Sequence, residues 1–366
     1  MMVYVLSPWL NSYGIRITKI TASDIPELTK EILFCDDFNK TIKHNVLPDS
    51  LESIVFGEDF NRPIAPGVFP RSLKHIKFGS NFSQPIVPGI FPCSLESIEF
   101  GEEFNQSISE NAIPDSLKSI ELGDEFDQPI TPGIFPNPLK IIKFGWNFNQ
   151  AMVENILPNS LISIEFGHNF NQLLVRNVLP GSLKTIIFGR RFNRSICENV
   201  LPNSLKTIIF GCRFNRSICE NVLPNSLKTI RFGHNFNQPI GGNVLSNSLE
   251  TIRFGHNFNQ PIEPGALPNS LKTIAFGYDF NQPIGENVLP DSLENINIGK
   301  DVYGRRVSIY NHSISALYHL NHIERISIYT ENTVEINAGF LPPSLKYLYI
   351  SNIHVALSLN PESQRM

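Results

Sequence analysis

Charge, cysteine and long apolar runs are all scarce in this 366-residue sequence. Only 17% of its residues are Asp, Glu, Lys or Arg, against roughly 25% in an ordinary globular domain. The net charge is −4, so the chain lacks the basic surplus of a nucleic-acid binder. No aromatic residues interleave with its arginines to stack on bases. No stretch reaches the ~18 apolar residues of a membrane span. Near the start, the longest apolar stretch runs only from Val3 to Leu6, with no basic segment before it, which does not fit a signal peptide. Cys35, Cys93, Cys197, Cys212 and Cys219 are an odd, sparse set for a disulfide framework. These absences predict an intracellular, cytoplasmic protein with reduced thiols and with neither membrane nor nucleic acid as a partner. Catalytic signatures are missing too: there is no P-loop, no G-x-S-x-G, no H-E-x-x-H and no zinc-finger pair of cysteines. Neither a cofactor nor a metal is expected.

What the sequence has in excess is Phe (27), Pro (27) and Gly (23), and the bias resolves into a repeat. Phe recurs every 22 residues from Phe38 to Phe280, and Gly every 22 from Gly57 to Gly299. Of the 27 Phe residues, only Phe340 falls outside three columns of this register. One unit runs from Leu205 to Ser226. Its Leu205-Lys-Thr-Ile208-Ile-Phe210 opening has the L-x-x-L-x-L form of a leucine-rich-repeat strand. Ile208 and Phe210 alternate with Thr207 and Ile209, as in a strand buried on one face. Gly211 is read as the strand breaker. The position of Asn221 holds only Asn (45, 111, 155, 177, 199, 221, 243, 287) or Gly (67, 89, 133, 265). Those two residue types tolerate the left-handed region, so each unit turns a corner there. Prolines at Pro48 to Pro290, with Ser246 the one gap after Pro26, leave no room for a long helix. The Asn61 column, beside the Phe ladder, is predicted to be a buried amide ladder serving neighbouring turns. It holds the sequons Asn193-Arg-Ser and Asn215-Arg-Ser, where glycans would disrupt packing.

The Phe236-Asn-Gln-Pro-Ile240 segment and its copies at 258–262 and 280–284, with Asn-Val-Leu-Pro-x-Ser-Leu segments such as 287–293, carry a family resemblance. Over about residues 25 to 299 the chain resembles the FNIP repeat family, a branch of the leucine-rich-repeat class. The resemblance implies a protein-interaction solenoid of amoebae and their giant viruses, often joined to an F-box or a kinase; for a viral member the compartment is the host cytoplasm. About 24 residues precede the first repeat, too few for an F-box, so a direct ubiquitin-ligase adaptor is not expected.

The expected fold is an all-β-rich, right-handed, leucine-rich-repeat-like solenoid with one long parallel sheet, 22-residue turns and little or no long helix. Residues 1–24, with Ile15-Arg-Ile17, read as an N-terminal cap and 25–299 as twelve repeats. Residues 300–358, with Ile323-Glu-Arg-Ile326-Ser-Ile328 and Leu345-Lys-Tyr-Leu348-Tyr-Ile350, read as degenerate repeats and a C-terminal cap, and 359–366 as a frayed tail.

The functional expectation is a non-catalytic protein–protein interaction scaffold. Partners of such repeats dock on the exposed sheet face and its rim. At the rim the early turns are acidic (Glu58, Asp59, Glu102, Glu103, Asp124, Glu125), and later ones carry Arg190, Arg191 and Arg213, joined by Arg194 and Arg216. On the sheet face Ile187 and Ile209 give way to Arg231 and Arg253. Two exposed isoleucines beside an arginine cluster suggest a docking surface for an acidic protein. The competing reading makes them ordinary strand formers in a duplicated pair of repeats. Head-to-tail self-association, basic rim against acidic rim, is a further option. The alternative function is a carbohydrate-active or other enzymatic solenoid using Glu99 and Glu121, which share a column in adjacent turns near the spacing of a retaining glycosidase. Stacked histidines (His168, His234, His256) and the equivalent Cys197 and Cys219 read as solvated turn residues and inert thiols.

Overall fold

The computed structural model describes residues 25–285 and 287–298 without a break. Beyond these it describes Val3–Leu6, Thr21, Ile323, Arg325–Tyr329, Val334–Asn337, 344–351 and Val355–Ser358. The Ile15–Ile17 cap strand and the tail at 359–366 lie outside the described residues. The chain divides into two compact units, Met1–Leu183 and Lys184–Met366.

In the first unit the strands are β1 (Val3–Leu6), β2 (Glu31–Phe34), β3 (Ser53–Val55), β4 (His75–Lys77), β5 (Ser97–Glu99), β6 (Ser119–Glu121), β7 (Ile141–Lys143) and β8 (Ser163–Glu165). Each pairs in parallel with the next, in register at a step of 22 residues from β2 onward. The second unit repeats the pattern with β9 (Thr185–Ile187), β10 (Thr207–Ile209), β11 (Thr229–Arg231), β12 (Thr251–Arg253), β13 (Thr273–Phe276) and β14 (Asn295–Ile298). There β15 (Arg325–Tyr329) joins β14, and β17 (Tyr347–Ser351) joins β15. A separate parallel pair is formed by β16 (Val334–Asn337) and β18 (Val355–Ser358). Among the described residues there is no helix. The fold is the parallel, leucine-rich-repeat-like β-solenoid that the repeat predicts.

The core is a set of stacked columns. Leu51, Ile54, Phe56 and Phe60 and their copies are buried in every described turn, with Leu122 in one Phe place and Ile298, whose burial is not described, in another. The rings zigzag: Phe56 lies 4.1 Å from Phe60 of its own turn and 5.3 Å from Phe78 of the next. Spacing widens away from the strands. In the first unit the strand-end Phe rings repeat at 5.1–5.9 Å and the Phe60 column at 5.9–6.3 Å. Paired strands repeat at about 4.8 Å, so each turn is a wedge and each unit bends with its sheet on the concave side. In the second unit the same two ring spacings are 5.5–5.8 Å and 6.0–6.1 Å.

Two polar columns close the backbone. The Asn61 N–H donates to Asn39 Oδ1 at 3.1 Å, and the bond recurs turn after turn in both units, for example Asn237 N–H to Asn215 Oδ1 at 2.9 Å. Ser83 and Asp127 take the same place with hydroxyl and carboxylate acceptors. The ladder is half-buried at the edge of the Phe stack rather than interior, because its side chain must reach the next turn's backbone and the flanking Gln at once. A serine column, which the sequence reading passed over, donates Oγ–H to the Leu carbonyl of the previous turn, as in Ser72 to Leu51 at 2.6 Å. Ser344 makes the equivalent bond to Ile323, so the same stacking device persists in the irregular C-terminal region.

The corner conformation is as expected. All eight column asparagines have positive φ, from 58° to 63°, and Gly67, Gly89, Gly133 and Gly265 stand at 77–90°. Asn199, with φ of 61°, gives a direct test. Asn199→Gly should be neutral within about 0.5 kcal/mol. Asn199→Val should cost about 1–3 kcal/mol, because a β-branched side chain resists this region. Equal denaturation midpoints for the two variants would show that the corner does not constrain the chain.

The strand-end glycines need a different account from the one their sequence position suggests. Gly57, Gly79, Gly101 and their described copies do not have positive φ. Their Cα atoms press against the preceding turn, so that a Cβ on Gly79 would run into the Gly57 carbonyl. They are glycine for lack of room, not for freedom to turn.

Candidate docking face

Each three-residue strand buries its central Ile and points the two flanking side chains outward. The outward residues form two columns on the concave face. One is mostly Ser and Thr. The other is Val55, Lys77, Glu99, Glu121, Lys143 and Glu165 in the first unit. In the second it is Ile187, Ile209, Arg231, Arg253 and Ala275.

In the first unit four of the five charged members of this column are paired, Glu165 being the exception. Lys77 meets Glu99 at 2.6 Å and Lys143 meets Glu121 at 3.1 Å. The hydrogen bond to Glu99 raises the Lys77 ammonium above its ordinary range, and Glu121 does the same for Lys143. One column over, Glu52 sits between Lys30 and Lys74 at 2.7 Å each, and their hydrogen bonds depress its carboxyl to about 2. A groove of about 350 Å³ runs over β3–β7, and its lining contains Glu99 and Glu121 but no exposed Phe, Tyr or Trp. Each carboxylate is thus tied to a lysine of its own, and the groove lacks the aromatic wall on which sugars stack.

The second unit differs in the same places. Cα register sets Ile187, Ile209, Arg231 and Arg253 side by side on β9 to β12. Ile187 and Ile209 are half-buried rather than exposed, since in-register neighbours about 4.8 Å away cover their flanks. Arg190 and Arg191 follow β9 and Arg213 follows β10, all three exposed and none in a salt bridge among the described residues. Arg194 and Arg216 are exposed further along the same turns, and Arg216 Nε donates to the Asn193 carbonyl at 3.1 Å. The structure therefore sets Ile187, Ile209, Arg231 and Arg253 in one column of the sheet face, with Arg190, Arg191 and Arg213 just beyond the strands, and leaves Arg194 and Arg216 further along, past the buried Phe192 and Phe214.

In the first unit the rim carboxylates Glu58, Asp59, Glu102, Glu103, Asp124 and Glu125 are also free of salt bridges among the described residues; Asp59 and Glu125 accept from Asn81 and Asn147, and Asp124 from the Trp146 N–H. The rim column also carries stacked rings that the sequence reading saw only in part. Trp146 lies on His168 at 3.9 Å. His234, His256 and Tyr278 form a second stack at 4.3 and 4.6 Å. The three histidines are half-buried and each Nδ1 meets the next residue's Asn Oδ1. Exposed Val153, Leu173 and Val175 lie away from the sheet; their two columns are variable, and only solvent exposure distinguishes them. Cys197 and Cys219 are exposed and Cys212 half-buried. Among the described residues no three His, Cys, Asp or Glu side chains gather as metal ligands, and no helix is long and apolar enough to cross a membrane.

A stacked parallel sheet with a variable concave face and a charged rim defines a leucine-rich-repeat-like solenoid. The FNIP Repeat family model matches in overlapping windows, first at residues 18–59, then from 60–103 through to 258–301. The chain belongs to the FNIP repeat family. The crystal structure of CroV588, described as a novel circular LRR protein structure, is 48% identical with a TM-score of 0.81. The match covers 89% of this chain and 47% of that one, so the chain spans about half the length of CroV588. A chain of the Drosophila Toll–Spatzle complex matches with a TM-score of 0.57 at 11% identity, over 88% of this chain and 51% of that one; at that identity the likeness concerns the fold alone. No curated protein sequence matches significantly.

Proposed function

We propose that this chain is a non-catalytic, intracellular protein–protein interaction scaffold that receives an acidic protein partner on the concave face and rim of its second unit. The observation that carries the reading is the set of exposed rim arginines, Arg190, Arg191 and Arg213, which have no carboxylate partner among the described residues. Lysines of the corresponding face in the first unit are neutralised within the chain. Unpaired guanidinium groups beside half-buried Ile187 and Ile209 offer charge for steering and an apolar centre for contact. Repeat solenoids of this family are typically interaction scaffolds, which supports the class. The enzymatic reading is the weaker one, because Glu99 and Glu121 are engaged by lysines.

Arg191→Glu combined with Arg213→Glu tests the proposal. The double variant should fold, with stability changed by no more than about 0.5 kcal/mol per exposed site. Capture from the native cell should lose the main partner, and what remains should depend less on salt. A variant that recovers the same partners with the same salt dependence would sink the reading. Sedimentation at low salt reports on a second copy, whose unpaired acidic rim is the other surface these arginines fit.

A further inference from the structure

Arg231 and Arg253 stand side by side on the sheet face, and no described carboxylate balances them. β11 and β12 pair with Arg231 opposite Arg253, so the Cα atoms are about 4.8 Å apart. Among the described residues neither guanidinium has a salt-bridge partner. Arg231 is half-buried, and its Nε is shut off from water without a hydrogen-bond partner. Like charges opposite one another weaken a sheet, and an unsatisfied buried donor weakens it further. In the first unit the same column arranges Lys against Glu at contact distance, so the fold itself does not require unpaired cations here.

We infer that the sheet face of the second unit binds a phosphoryl group between Arg231 and Arg253. Two guanidinium groups call for about two negative charges. A carboxylate supplies one, whereas a phosphoryl group supplies close to two and three acceptor oxygens. The planar guanidinium fork matches those oxygens in pairs. Thr229 and Thr251, two residues earlier on the same strands, point to the same face and are half-buried. Their hydroxyls add donors beside the guanidinium groups. Ile209 continues the column on one side and Ala275 on the other, so apolar flanks strengthen the electrostatics between them. Burial and the neighbouring Arg253 already push the Arg231 guanidinium below its ordinary range, a cost that a bound dianion would reverse. The inference rests on the docking reading of this face and names one group the face would recognise, yet its test needs no partner.

Titration calorimetry of the full chain with inorganic phosphate, at ionic strength held constant with chloride, should show one saturable site. Melting should shift upward with phosphate over the same range. Arg253→Gln, at an exposed position, should fold normally and weaken binding about tenfold or more, the worth of one charge-assisted hydrogen bond. Arg231→Gln should weaken it likewise and, without phosphate, melt no lower than the parent. Lys143→Gln, in the same column of the first unit, should leave binding unchanged. A phosphoserine peptide of otherwise neutral residues separates the two sources. Binding tighter than inorganic phosphate assigns the site to a phosphorylated partner, and weaker binding assigns it to the free ion. No saturable binding, binding that Arg253→Gln leaves intact, or binding that Lys143→Gln abolishes equally would overturn the inference.

Discussion

Gly101→Ala is expected to destabilise the chain by about 3 kcal/mol or more, although it adds only one methyl group. An ideal Cβ on Gly101 falls inside the Gly79 carbonyl group of the preceding turn. Both groups are backbone, so no side chain can swing aside to make room. The turns would have to separate locally, breaking the Glu103 N–H to Ser80 carbonyl bond at 2.8 Å and loosening the rings below. Gly181→Ala is the matched control. Gly181 is exposed, nothing lies within 4 Å of its Cβ position, and its φ is not positive. That variant should stay within about 0.5 kcal/mol of the parent. Chemical denaturation followed by circular dichroism reads both. Equal midpoints would mean that the strand-end glycines serve as turn breakers and not as points of contact.

Phe104→Ala should cost about 3–5 kcal/mol, the range for losing a buried aromatic. Phe104 is fully buried, 4.0 Å from Phe100 in its own turn and 6.3 and 5.9 Å from Phe82 and Phe126 in the turns on either side. Its removal leaves a hole that two neighbouring turns share. In an array stabilised by nearest neighbours, the damage should extend beyond the mutated turn. Hydrogen exchange should show lost protection in β4, β5 and β6, with strands of the second unit far less affected. A loss below about 1 kcal/mol would be inconsistent with a close-packed Phe ladder.

The fold was legible because each position is sampled twelve times in one chain. The column of Asn and Gly announces a left-handed corner, and every member has the positive φ it requires. The Ile and Phe columns announced the buried face in the same way, and the Asn61 column its ladder. The serine column was just as regular, as at Ser72, Ser94 and Ser116, but its role was not. Ser is common in turns, and only the stacking distance reveals a bond to the previous turn.

The candidate site was legible as a list of residues and not as a state of pairing. Glu99 and Glu121 read as neighbouring carboxylates in a column of mixed charge, with catalysis as the alternative; the structure gives each a lysine. Ile187 and Ile209 looked exposed, and lateral packing half-buries them. Arg231 was legible as a docking candidate, but not that its Nε is enclosed and, among the described residues, without a partner.

By itself the sequence determined the turn length, the parallel register, the buried columns and the corner at Asn199, because a repeated one-dimensional pattern stacks in one way only. Tertiary structure decided what happens between turns: which glycines are squeezed, which charges find a partner and which do not. Those outcomes depend on ångström-scale distances across 22 residues of chain, and a residue's identity does not encode whether its neighbour in the next turn reaches it.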